Sequence, residues 1–382
     1  MSKPWAESLS RILIVSTLLA GSGLGIWWII SPKPIDKSAE NSKDANKPAG
    51  SSLSTVVLTE YDAKGKQIWE VKASRAEFNQ VSRTTDVYDV TGKFFRDGKA
   101  IMQASAQIGS VDQTSRAINL RGKAKAIALQ ENVVVTSEKL SWQSDLDLLT
   151  ATEKVKVEKP DRQITITGKA LKAKPSINEF RVEQDVIALA VKPSLKLIGS
   201  TFIWDANKDT VTSPYPFGVR QTQSDFRVRA NKGLWSIRTE MISLEGEVRA
   251  KAPKLDLQVD TSKLTWEIAK QIVILPNSLI AVSKKRGIEV LAESGNVNLA
   301  KAIVQVIGKI KATSSSNQSE ITADQAEWSI GSQAIAAQGN VNYRQAEKNI
   351  WVNGSQAVAN LKDQTVNVTG AKPGVVTNIS IP

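Results

Sequence analysis

From residue 55 onward, apolar and polar side chains alternate one by one over long stretches. Ile242, Leu244, Gly246, Val248 and Ala250 fall on one face, with Ser243, Glu245, Glu247, Arg249 and Lys251 on the other. The same parity runs through Val304, Val306, Gly308, Ile310 and Ala312, and again through Ile335, Ala337, Gly339, Val341 and Tyr343. A second kind of stretch reads Leu264, Trp266, Ile268 and, later, Ala326, Trp328, Ile330. Successive side chains of a strand point to opposite faces, so this pattern predicts sheet with one apolar and one charged face. No segment after residue 31 shows a sustained helical period. The predicted strands are about 12 residues long, against the usual 5–6. A glycine in mid-strand on the apolar face predicts a bend, where the strand leaves one sheet and enters another facing it. The expected fold is all-β: an open jelly roll or taco of long antiparallel strands, with the apolar faces lining its inside.

The pattern repeats. Trp142, Trp204, Trp235, Trp266 and Trp328 are separated by 62, 31, 31 and 62 residues. A second landmark, eleven residues further on in the same phase, reads Gly122, Gly246, Asn277, Gly308, Gly339 and Gly370. Ala173 and Val297 take tryptophan positions, so the repeat is degenerate, and Gly92 lies 30 residues before Gly122. About ten units of two strands fit between residues 55 and 382. Some twenty strands at ~4.8 Å would extend about 95 Å.

The N-terminus differs. Ile12 to Ile30 carries no charge over 19 residues, enough for a helix of about 28 Å against a hydrocarbon core of about 30 Å. Trp27 and Trp28 suit the membrane interface, and Pro32 and Pro34 stop a helix. Ala20-Gly21-Ser22 would pass for a cleavage site, but the apolar run continues past it, as in an uncleaved anchor. Lys3 and Arg11 precede the span while Lys33, Lys37, Lys43 and Lys47 follow it. Charge therefore does not set the orientation; the short tail ahead of a large domain predicts export of that domain. The expected organisation is a tail and transmembrane anchor over 1–31, a flexible tether over 32–54, and the repeat domain over 55–382.

Composition limits the chemistry. The chain has no Cys and no His, which excludes disulfides, thiol nucleophiles, thiolate or imidazole metal sites and histidine acid–base catalysis. The carboxylates are scattered on outward positions, and no phosphate loop, dinucleotide turn, nucleophile elbow or calcium loop is present. The expectation is a protein without catalytic, cofactor or metal residues. A net charge of +12 favours anionic partners. Nucleic acid is disfavoured, because Lys and Arg are spread over all repeats. Lys284-Lys285-Arg286 could meet a phosphate, although its place before Gly287 reads as an exposed turn.

The interior is therefore the candidate site. Phe78, Ile118, Leu120, Trp142, Trp204, Trp235, Ile242, Leu244, Val248, Trp266, Val304, Val306, Ile310, Trp328 and Val341 are expected to face inward. Such positions can be packed core or the lining of a groove for acyl chains, which gain about 0.8 kcal/mol per buried methylene. An open array also has two edges, marked by Val56 and Leu58 at one end and Val376 and Ile379 at the other. These could extend by pairing with a partner's strand.

Residues 58–78, LTEYDAKGKQIWEVKASRAEF, place Tyr61, Asp62, Gly65, Trp69, Ala73 and Phe78 in a strand pair after the anchor. This resembles the opening of the LptC family of lipopolysaccharide-export proteins. INLRGKAKA at 118–126 and LSWQ at 140–143 are similar to the OstA-like repeats that family shares with the soluble LptA. The resemblance implies a single-pass inner-membrane protein with a periplasmic jelly roll. Such a protein takes lipopolysaccharide from an ABC transporter and hands it to an LptA-like or other OstA-domain partner by edge-strand pairing. Residues 55–200 form the LptC-like portion, and 201–382 are additional repeats, making an unusually long form. Other readings are a bridge-like phospholipid carrier, a periplasmic scaffold or adhesin, and a β-helix polysaccharide lyase.

Overall fold

The computed structural model describes residues 13–16, 52–79, 82–112, 114–363, 365–370 and 376–380. Among these it has 27 strands, four single-turn 3-10 helices and no α-helix. The expected anchor and tether lie outside the described residues, save for two stretches. Residues 52–54, expected as flexible tether, already belong to the strand Ser52–Tyr61, where their backbone pairs with residues 75–77. Leu13–Ser16 is a short strand pairing antiparallel with Val56 to Thr59, so for these four residues the expected helix is corrected. Leu13, Ile14 and Val15 are β-competent residues, and with Ser16 they are set against the free backbone groups of a strand edge, which any extended segment can pair. No helix among the described residues is long and apolar enough to cross a membrane.

The chain divides into two compact units, Met1–Ile127 with Lys139–Asp147, and Ala128–Glu138 with Leu148–Pro382. In the first, the strands Ser52–Tyr61, Gln67–Asn79, Thr84–Arg96 and Lys99–Asp112 pair in sequence order, all antiparallel. Their inward positions bury Trp69, Val71, Phe94 and Met102, and the Phe94 ring meets Trp142 edge-on at 5.7 Å.

In the second unit every long strand is folded over. Ile164–Lys174 carries Arg162 beyond one end, while Asp209 lies beyond the strand that pairs with its other end. Eleven extended residues would hold these ends roughly 33 Å apart, yet Arg162 and Asp209 are joined at 2.9 Å. Phe226 and Trp266 make the same point. They belong to opposite ends of Leu257–Glu267, and their rings stand 4.8 Å apart. Each strand thus contributes one half to either face of a two-layer sandwich.

The fold in each strand has a local cause. In Met241–Ala252 the register slips by one residue between Glu245 and Val248, with Gly246 and Glu247 at φ 73° and 43°. Gly308-Lys309 and Gly339-Asn340 repeat this bulge, and Glu153-Lys154 and Gln184-Asp185 do so without glycine. The expected mid-strand glycines are therefore bulge residues, where φ > 0 is required. At the Tyr215 and Asn277 phases the strand is interrupted instead, beside Pro214, Pro216 and Pro276, since proline cannot donate to the ladder. Gly92 is an exception; the left-handed residue in its strand is Asp89.

The neighbouring strands turn the corner differently. In Leu257–Glu267 the buried positions are Leu257 and Val259, then Leu264 and Trp266, so inward parity flips midway. Small residues occupy that point in every repeat: Gly168, Gly199, Ala230, Thr261, Ala292, Ala323 and Gly354. A Cβ on Gly168 would stand 2.6 Å from Val182 and one on Gly354 2.5 Å from the Thr369 carbonyl.

The turns register the repeats. Asp147, Asn178, Asp209, Glu240, Gln271, Ala302 and Gln333 follow at 31-residue intervals, with φ between 48° and 58°. From Asn178 onward each carbonyl accepts a backbone N–H of the next turn on that edge: Ala206, Ile237, Ile268, Leu299, Ile330 and Leu361, at 2.8–3.0 Å. Gln163, Ser194, Gly287 and Gln318 accept in the same way along the opposite edge.

Candidate functional site

The interior of the second unit changes character along its length. In the middle repeats Trp204, Trp235 and Trp266 are at most 1% exposed and Ile242, Leu244 and Val248 are fully buried. A gap of about 10 Å³ remains there, beside Phe226, Ala250 and Val259. In the last repeats smaller side chains, Ala312, Ala326, Ala337 and Ala359, leave space. One cavity of about 60 Å³ is bounded by Val304, Val306, Ile310, Trp328 and Ala337, and only apolar surface faces it. A larger one of about 290 Å³ adjoins it through shared walls at Ile288, Ala312, Ile321 and Ile335. Its volume is near the lower end for small-molecule sites, about 300 Å³.

The larger cavity has a polar mouth over an apolar floor. Arg286, Ser316 and Asn317 come from one turn edge, and Gln333 and Leu361 from the other. Tyr343 and Val366 close the floor, and burial pushes the Tyr343 phenol above its ordinary pKa. Lys284 and Lys285 are exposed, as expected of a turn, whereas Arg286 is half-buried with its guanidinium 5.5 Å from the Trp328 ring centroid. The sequence reading of this cluster as one exposed turn is corrected for Arg286: the folded strands bring Trp328 across to it.

Where the two turn edges meet, they form a seam that carries ion pairs. In the second unit Arg162 reaches the buried Asp209, which Arg238 also approaches at 3.5 Å. In the first unit Arg96 meets Asp147 at 3.0 Å, and Arg116 lies 3.6 Å from Glu60. Burial raises the Glu60 carboxyl above its ordinary pKa, the Arg116 charge opposes that rise, and Asp145 adds to it.

Of the expected inward residues, all are buried except Phe78, which is half-buried because it stands near the end of its strand. Val304, Val306, Ile310 and Trp328 border the smaller cavity. Six buried indole N–H groups, those of Trp69, Trp142, Trp204, Trp235, Trp266 and Trp328, have no hydrogen-bond partner. Val56 and Leu58 are buried, and their strand pairs with Gln67–Asn79 on one side and Leu13–Ser16 on the other. Val376–Ser380, which holds Val376 and Ile379, pairs with Thr365–Thr369. Sequence reading missed the seam, where Arg162 and Asp209 sit 47 residues apart, and the small-residue series, whose signal was the same 31-residue spacing. Among the described residues no group of acidic side chains could hold a metal ion.

A search of curated proteins finds no match to this chain. Comparison with protein families matches residues 13–188 to the family described as "Lipopolysaccharide-assembly, LptC-related". The matched segment ends before the repeats that hold the two cavities. Over residues 13–188, somewhat under half of its length, the chain is therefore similar to the LptC-related family of lipopolysaccharide assembly.

Proposed function

We propose that this protein is a membrane-anchored periplasmic component of lipopolysaccharide export that carries acyl chains along its apolar interior. The observation that carries the reading is the pair of adjoining cavities in the last repeats, apolar in their depth and polar at the mouth. Acyl chains need no polar contact to gain from such a space, because transfer from water alone drives their burial. An ester or amide carbonyl entering beside Trp328 would supply the acceptor that its indole N–H lacks. In this reading the apolar N-terminal run anchors the protein in the inner membrane, next to an ABC transporter that delivers the lipid. The Val376–Ser380 edge pairs with a strand of an LptA-like partner, and the added repeats cover distance that such partners would otherwise span.

The test places a photo-crosslinking residue at Val306 or Ile310 in cells, with the exposed Gln305 and Lys311 as controls. Adducts with lipopolysaccharide at the inward positions alone are expected. Adducts with phospholipid alone would replace the cargo, and no lipid at either position would leave a packed scaffold.

A further inference from the structure

The 31-residue phase lets one place on the seam of the second unit be compared with another. Arg162 and Asp209 join the two turn edges at 2.9 Å. Four repeats later the same two positions hold Arg286 and Gln333. The arginine is kept in phase, and the acid facing it has become a neutral amide. At that point the seam opens into the cavity of about 290 Å³, which both residues line. Arg286 is the one charged side chain among the described residues lining it.

The guanidinium is held at this mouth by its own edge. Its Nη1 donates to Ser283 Oγ at 3.3 Å and lies 3.6 Å from Asp256 Oδ2. That carboxylate oxygen is shared, because it also accepts from Ser283 Oγ at 2.6 Å and from the Lys285 N–H at 2.9 Å. Lys284 and Lys285 add exposed positive charge to the same turn. The arrangement presents a positioned cation above an apolar floor, with hydroxyl and amide groups of Ser316, Asn317 and Gln333 around it.

We propose that the seam at Arg286 and Gln333 is a lateral portal for an anionic, acylated amphiphile. Its phosphate pairs with the Arg286 guanidinium while an acyl chain enters the cavity beneath. Arginine suits this role, since its fork of donors matches a phosphate and its charge persists at any physiological pH. The shared chemistry is a phosphate joined to fatty chains, found in phosphorylated glycolipids and in phospholipids. The inference rests on the interior being a lipid path, and adds to it a place where lipid passes sideways.

Binding to the purified full chain tests it. The probes are detergent-dispersed bisphosphorylated lipid A, its dephosphorylated form, and vesicles of phosphatidylglycerol or phosphatidylcholine. Arg286→Gln is expected to weaken the phosphorylated probe about tenfold while leaving the dephosphorylated probe within about twofold. Gln333→Asp should weaken it in the same direction, because the new carboxylate recreates the closed seam of Arg162 and Asp209. Arg286→Lys should keep most of the affinity, and thermal unfolding checks that each variant folds. Wild-type affinity in both Arg286→Gln and Gln333→Asp, with acyl probes still crosslinking at Ile310, would overturn the portal alone. Loss of the Ile310 adduct in the unmodified seam would bring down the lipid path with it. Tight phosphatidylglycerol with weak lipid A would keep the portal and make phospholipid its source.

Discussion

The repeats around Trp204 to Trp266 and those around Trp328 share one backbone plan but enclose different interiors. Both have the bulged strand, the small residue at the opposite corner and the stitched turns. In the first set the space between layers is filled by large rings, and Trp266 is locked by Phe226 at 4.8 Å. In the second, alanines face Trp328 across a cavity. Backbone regularity therefore does not dictate a closed core. The frame is maintained by hydrogen bonds that every residue can make, which leaves the inward side chains free to set how much room remains.

Three measurements would break or sharpen that contrast. The largest effect is expected from Trp266→Ala, which should lower stability by about 4–5 kcal/mol, against about 2–3 kcal/mol for Trp328→Ala. Urea unfolding followed by circular dichroism would report both, and equal losses would mean that the last repeats are packed as tightly as the middle. The next compares alanines two repeats apart. Ala250→Leu should cost about 1–3 kcal/mol by overpacking, whereas Ala312, bordering both cavities, should accept leucine with less than about 0.5 kcal/mol of loss. A similar penalty at both sites would argue that the cavity collapses in solution. The smallest concerns the seam of the first unit. Because burial raises the Glu60 pKa, the folded chain binds that proton more readily than the unfolded chain. Stability contributed by this group therefore rises as pH falls through the raised pKa and levels off below the ordinary value of 4.5. Glu60→Gln should flatten that part of the stability profile, and an unchanged slope would place the pH response elsewhere.

Much of the frame was legible in the sequence because strand alternation and the 31-residue spacing are one-dimensional signals. Ile242, Leu244 and Val248 could be assigned inward from parity alone, and the glycine series marked the bends. The small-residue corners were harder to see, because parity flips there and a search for unbroken alternation passes over Gly168 or Ala323. The left-handed turns were illegible, since Asp147, Glu240, Gln271 and Ala302 share a conformation without sharing chemistry; the stack imposes φ on each. The seam was hidden for a different reason. Arg162 and Asp209 meet only because the strand folds over, and no local pattern encodes a contact across 47 residues. The cavities were hidden too, since a run of alanines reads the same whether its neighbours close over it or stand apart.

The turn-to-turn hydrogen bonds set a rule for how such a protein can change in length. Each accepting carbonyl is matched to a donor in the following turn of the same edge. Deleting or adding a few residues within a strand would leave a carbonyl and an N–H out of step along the whole edge. Removing a complete 31-residue repeat would leave every remaining pair intact and shorten the second unit by two strands, about 10 Å. Lineages of this protein should therefore differ in reach by whole steps of that size, as a ladder is cut only between rungs.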